Sequence, residues 1–176
     1  IFGNIARIPT DGIPAILFYL SGIVCWNYSS GCLNKSADTF LTNANIFGKV
    51  YFPRLAVPIA SLVSNLISLS VQYAFFFAVL IYYVYLGQVR LPRWEIILTP
   101  LLILHMAMLG MGVGIWISAL TTKYRDLKFL QGFGMQLWMY ATPIVYPMSL
   151  IPEKWRFLVI LNPMAPVTEF FKYAWL

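Results

Sequence analysis

From Leu55 to Val89 the chain carries no charged side chain. An α-helix needs about 20 apolar residues to cross a bilayer, so this run spans one with residues to spare. A soluble fold would have to cover such a stretch with a polar shell, and the composition offers none. Of 176 residues, 60% are hydrophobic and 10% charged, and the mean hydropathy is +0.75. The chain therefore reads as an all-α, polytopic helical membrane protein, because a helix satisfies its own backbone polar groups where water is absent. Tyr82, Tyr83, Tyr85 and Trp94 flank a loop carrying Gln88, Arg90, Pro92 and Arg93, as an aromatic belt at the membrane surface does. The net charge of +6 is spread over loops, with no basic run of the kind that binds nucleic acid.

Further crossings follow from the same reasoning. Spanning helices are expected at about 13–33, 56–87, 96–121 and 129–142. The polar cluster Asn27, Tyr28, Ser29 and Ser30 is expected at the wetter end of the first, and Pro58 in the opening turn of the second. Lys123-Tyr124-Arg125-Asp126-Leu127-Lys128 must stay outside the hydrocarbon, where each cation would cost about 2.5–3.5 kcal/mol at the centre. Pro143, Pro147, Pro152, Pro163 and Pro166 then cut the chain into pieces too short to span. Residues 143–166 are read as a re-entrant or surface segment of short helices, one of them within Arg156–Leu161. Thr168–Leu176 reads as the opening of a further helix. Ile1–Pro14 is turn-rich and reads as a loop. With neither a start Met nor a signal-peptide pattern, residues 1–176 are expected to be a fragment, a single transmembrane domain of a longer protein.

The connector between the first two crossings is the segment around which the rest is organised. In 36–48, Ala37, Phe40, Leu41, Ala44, Phe47 and Gly48 recur at steps of three and four, with Asp38, Thr42, Asn43 and Asn45 largely opposite. This spacing predicts an amphipathic helix capped by Ser36, with Asp38 in its first turn and Gly48 at its end. Lys49 leads out, and Pro53 turns the chain before Leu55.

Ser61, Ser64, Asn65, Ser68 and Gln72 form a polar stripe on the second crossing. Two readings stay open for it: hydrogen bonds between helices, or one wet wall of a translocation path. Gly110-Met111-Gly112-Val113-Gly114 lacks the Lys-Ser/Thr ending and the preceding strand of a phosphate loop, so it reads as a surface for close helix approach. His105, Cys25 and Cys32 have no metal-ligand spacing and are expected to pack. Asp11, Asp38, Glu95, Asp126, Glu153 and Glu169 fall near helix ends or in loops, with no pair at catalytic spacing. The sequence therefore provides no catalytic or metal-binding set, and a membrane-embedded glycosyl- or acyltransferase is the weaker alternative. Alternation puts Lys35, Lys49, Arg54, Lys123, Arg125 and Lys128 on one face and Arg7, Arg90, Arg93, Lys154, Arg156 and Lys172 on the other. This tie leaves the orientation open.

Three stretches carry a resemblance. They are Asn43-Ala44-Asn45 with Lys49-Val50-Tyr51-Phe52-Pro53-Arg54; Tyr124-Arg125-Asp126; and Thr142-Pro143-Ile144-Val145-Tyr146-Pro147 followed by Ile151-Pro152 and Asn162-Pro163-Met164. In order and spacing the chain resembles the ABC-2 type permeases of polysaccharide exporters, the group that exports O-antigen, capsule and teichoic acid. The resemblance implies a fragment of a six-helix permease, lacking the N-terminal amphipathic helix and the first and last crossings. It also implies a homodimer of permeases joined to a separate ATP-binding subunit, which would hold the ATP and Mg, with no cofactor in this chain. The location it implies is the cytoplasmic (inner) membrane of a bacterium or archaeon, with the Lys49/Arg54 and Lys123/Arg125 loops in the cytoplasm and the short helices after Thr142 closing the outer mouth. Asn45, Lys49, Tyr51, Phe52, Pro53, Arg54, Arg125 and Asp126 are then the expected contact with the ATPase subunit. Ser64, Asn65, Ser68, Gln72, Trp138, Tyr140 and Tyr146 are the expected lining of a path for a lipid-linked glycan. An ABC-2 permease for drugs or small lipids is the alternative cargo reading.

Overall fold

The computed structural model describes residues 12–42, 53, 55–89, 93–124 and 126–176, and all regular structure among them is helical. Three helices are long and apolar enough to cross a membrane: α1 (Ala15–Thr42), α2 (Ala56–Tyr85) and α3 (Thr99–Lys123). A 3-10 turn at Trp94–Leu98 runs directly into α3. Gly87, at φ +68°, closes α2 in a left-handed conformation that costs glycine little. Three shorter helices follow: α4 (Leu127–Ala141), α5 (Glu153–Ile160) and α6 (Ala165–Trp175). Pro100 and Pro166 stand in the first turns of α3 and α6, where a missing N–H costs nothing. At 15 residues, α4 is about 22 Å long, short of the roughly 30 Å of hydrocarbon.

α1 is the central helix. Of its apolar span 61% is buried, against 17% for α2 and 22% for the crossing built on α3. Small residues explain this. A methyl group on Gly110 of α3 would lie 2.7 Å from the Ser29 carbonyl, and one on Gly114 would lie 2.5 Å from that of Leu33. The two backbones meet almost directly, as small residues spaced by four allow. α2 approaches a different face of α1, where Gly31 leaves room for the Asn65 side chain. α6 packs across both α1 and α2. Its Phe171 and Trp175 meet Tyr73, Phe76 and Phe77, with the Phe77–Trp175 centroids 5.0 Å apart in an edge-to-face pair.

Several expectations are corrected. The helix beginning near residue 13 does not stop at 33 for a second helix to start at Ser36; it continues to Thr42. Nothing in Asn34-Lys35-Ser36 breaks a helix, and Thr39 Oγ1 donates to the Lys35 carbonyl at 2.9 Å. Ser36 is buried in the helix interior beside Gly114 and caps nothing, and Asp38 lies near the C-terminal end of the helix rather than in a first turn. Residues 43–48 of the expected amphipathic helix lie outside the described residues. Tyr28 and Ser29 do not mark a wetter helix end either: both are buried mid-helix, at the contact with α2 and α3. His105, expected to pack, lies on the exposed side of α3, whereas Cys25 and Cys32 are buried free thiols.

Candidate functional site

The polar stripe of α2 divides. Asn65 turns inward, its amide donating to the Tyr28 carbonyl at 3.1 Å and lying 3.4 Å from Cys32 Sγ. Two turns along, Gln72 Oε1 accepts from Asn27 Nδ2 at 3.1 Å. These two residues bind α2 to α1. Ser64 and Ser68 fall on the exposed side of the same helix.

A second arrangement joins α1 to α4 through side chains at three levels. Lys128 Nζ lies 3.0 Å from Asp38 Oδ1. Gln131 Nε2 donates to Asn34 Oδ1 at 2.9 Å. Trp138 meets Trp26 edge-to-face, with centroids 6.0 Å apart. The positions descend on α1 as they rise on α4, so the helices run antiparallel. Between them and α3 lies a groove of about 250 Å³ walled by Leu33, Val113, Ile117, Leu130 and Met135. No residue of α4 is buried, so it is the least embedded of the longer helices.

The third arrangement lies at the far end of α4. Asn162 Oδ1 accepts from Trp138 Nε1 at 2.9 Å and from its own neighbour Met164 N at 3.0 Å. Its Nδ2 donates to Thr142 Oγ1 at 2.9 Å and to the Ala141 carbonyl at 3.3 Å. One amide thus fastens the end of α4 to the start of α6, and residues 143–161 leave and return at that point. Within the excursion, Tyr146 donates to the Tyr140 carbonyl at 3.1 Å, and burial raises the pKa of its hydroxyl, which keeps it a donor. Ile144 packs on Gly22 of α1. Trp138, Tyr140 and Tyr146 are thus gathered around this fastening, apart from Ser64 and Ser68.

Lys172, expected among the loop cations, is buried on α6. Its Nζ donates to the Pro143 carbonyl at 2.7 Å, lies 3.4 Å from Glu169 Oε1, and stands 3.8 Å from the Phe18 ring centre. A carbonyl in a proline-broken segment has no helical N–H to accept, so a buried ammonium finds a partner there. Two sequence signals could have found this region: the Asn162-Pro163 pair after a short helix, and Lys172 among the apolar residues of Thr168–Leu176.

Of the expected ATPase-subunit contact, Asn45, Lys49, Tyr51, Phe52, Arg54 and Arg125 lie outside the described residues. Pro53 is exposed, and its carbonyl accepts from Ala56 N at 2.9 Å as α2 begins. Asp126 is exposed just before α4, where its carbonyl accepts from Phe129 N at 3.1 Å. Among the described residues no group of His, Cys, Asp and Glu could hold a metal ion.

Long apolar helices packed on one central helix, followed by a proline-broken excursion tied back through Asn162 and Lys172, define a multi-pass helical membrane protein. Residues 1–175 match the ABC-2 type transporter family, and the chain belongs to it. It is 28% identical over 149 residues to an O-antigen export system permease protein RfbA of Klebsiella pneumoniae, covering 85% of this chain and 56% of that protein. It is also 28% identical over 157 residues to the Myxococcus xanthus protein of the same name, covering 88% and 58%. The chain thus spans a little over half the length of the curated relatives it matches.

Proposed function

We propose that the chain is part of a permease subunit that moves a lipid-linked polysaccharide of the O-antigen, capsule or teichoic acid type outward across the inner membrane of a bacterium or archaeon. Two permeases would act with a separate ATP-binding subunit, which holds ATP and Mg and drives the conformational work. The match of residues 1–175 to the ABC-2 family, with relatives named as O-antigen export permeases, carries this reading. The geometry supports it in a specific way. A sugar hydroxyl without a partner in hydrocarbon costs several kcal/mol, so a glycan needs aromatic faces and polar groups along its route. Trp138, Tyr140 and Tyr146 gather such groups around Asn162, and the polar bridges between α1 and α4 run towards them. Ser64 and Ser68, on the exposed side of α2, are proposed as a separate polar surface on the route, whereas Asn65 and Gln72, expected in the same lining, hold α2 to α1.

Motion would enter at the segment 45–54 with Arg125 and Asp126, because a motor shifts a permease only through contacts that differ between its two states. Arg54→Glu in the full-length permease is expected to reduce co-purification of the ATP-binding subunit while permease yield and monodispersity hold. Export is tested in cells whose own exporter has been removed. Restoration of surface polysaccharide by the full-length permease with its ATP-binding subunit is the expected result. Absence of surface polysaccharide, with both subunits present in the membrane, would refute the proposed cargo.

A further inference from the structure

Two acceptors near the Lys172 ammonium differ in standing. The Pro143 carbonyl accepts from Nζ at 2.7 Å, a short charge-assisted bond, whereas Glu169 Oε1 stands at 3.4 Å, beyond the usual hydrogen-bond range. They differ also in what carries them. Pro143 opens the proline-broken stretch, 29 positions from the lysine along the chain. Glu169 lies on α6 itself, one turn before Lys172. When Pro143 moves away from α6 its carbonyl goes with it, and the carboxylate stays.

The Lys172 side chain is only 6% exposed, so water does not replace a bond lost there. Taking so short a bond from a buried ammonium is costly unless another acceptor makes up the loss. The Phe18 ring, 3.8 Å from Nζ, adds attraction but accepts no conventional hydrogen bond. The Glu169 carboxylate is placed to make it up. A cavity of about 250 Å³ borders Phe18, Pro147, Glu169 and Lys172 and gives both side chains room to turn. Arg93, the other cation on that cavity, lies 4.2 Å over the Tyr173 ring and forms no ion pair with Glu169. We propose, resting on the export function above with the segment after Thr142 closing the outer mouth, that Glu169 is a positioning residue for release of that segment. As 143–147 parts from α6, Lys172 exchanges the Pro143 carbonyl for the Glu169 carboxylate, and the buried charge is never stranded.

The test uses the full-length permease with its ATP-binding subunit, its native cysteines replaced by alanine. Ile144→Cys then adds one thiol at a side chain that is 1% exposed and packs on Gly22 of α1. The rate at which a maleimide modifies this thiol reports how often the segment parts from the helices. Glu169→Gln keeps the shape of the side chain and drops its charge. It is expected to leave thermal unfolding unchanged while lowering the modification rate during ATP turnover, and export with it, about tenfold. Lys172→Met removes the charge to be compensated, so in that background Glu169→Gln is expected to change the modification rate by less than about twofold. An unchanged rate in Glu169→Gln, or the same tenfold loss in the Lys172→Met background, overturns the inference. So does a permease that exports while the thiol at 144 is never modified, a result that leaves the proposed cargo standing. The expected pattern of rates without surface polysaccharide upholds the exchange at Lys172 and refutes the cargo instead.

Discussion

At Gly114 a single methyl group decides how closely two crossings approach. Because a methyl there would press on the Leu33 carbonyl at 2.5 Å and on Ser36 Cβ at 2.6 Å, α3 would have to move off α1. Gly114→Ala is therefore expected to lower the stability of the purified permease by about 1–3 kcal/mol, read by thermal or denaturant unfolding. Gly112 lies two residues away with open space around it, and Gly112→Ala should stay within about 0.5 kcal/mol. The glycine run was legible in the sequence as a close-approach surface, but which of its glycines makes the contact was not. The same holds for the stripe on α2. The residues from Ser64 to Gln72 cover a broad arc, and only the gap left by Gly31 selects Asn65 as the inward residue, with Gln72 reaching Asn27 at the exposed edge of the same contact. Lys172 was harder still, because its partner is a backbone carbonyl that a loop 29 residues away presents. Lys172→Met keeps the stem but leaves the Pro143 carbonyl unpartnered. A loss of about 1–3 kcal/mol is expected, with faster proteolytic cleavage within 143–161.

Among the elements, α4 is distinguished by how it is held. It meets α1 through bridges between side chains and buries none of its own residues. The Asp38–Lys128 pair is exposed on both sides, so it contributes at most about 1 kcal/mol and weakens with salt. Asp38→Lys should accordingly loosen the α1–α4 pairing, and the exchanged pair Asp38→Lys with Lys128→Asp should restore it. The measurement is the yield of cross-linking between cysteines placed at Asn34 and Gln131. This helix also shows where sequence reading fell short. Residues 34–36 contain polar groups that look like a helix boundary, yet polar side chains on a continuous helix also serve as attachment points for a neighbour. Asn34 and Asp38 are attachment points of that kind. Periodicity identifies the face they occupy, and the partner helix comes from the fold.

For the whole molecule, the three long apolar helices and the broken region after Thr142 were readable because charge and proline placement are strong constraints in a bilayer, whereas the fourth crossing expected at 129–142 is the 15-residue α4. The packing order around α1 depends on small residues whose partners lie 30 to 80 positions away, and no local pattern specifies it. If the glycan passes beside α4, then α4 must part from α1 during the cycle. Joining cysteines at Asn34 and Gln131 with a short bifunctional thiol reagent is then expected to stop export, while a reducible reagent restores it on cleavage. Export that continues with most of the permease joined would place the route elsewhere.

Because Asn162 meets Trp138, Thr142 and the Ala141 carbonyl at one spot, and Lys172 and Gly22 hold Pro143 and Ile144 beside it, the stretch 148–161 hangs like a pendant from one compact knot. A pendant of this kind can be lengthened, shortened or re-surfaced without re-aiming the helices on either side of the knot. Variation in what the protein meets outside the membrane can therefore accumulate there at little cost to the crossings beneath.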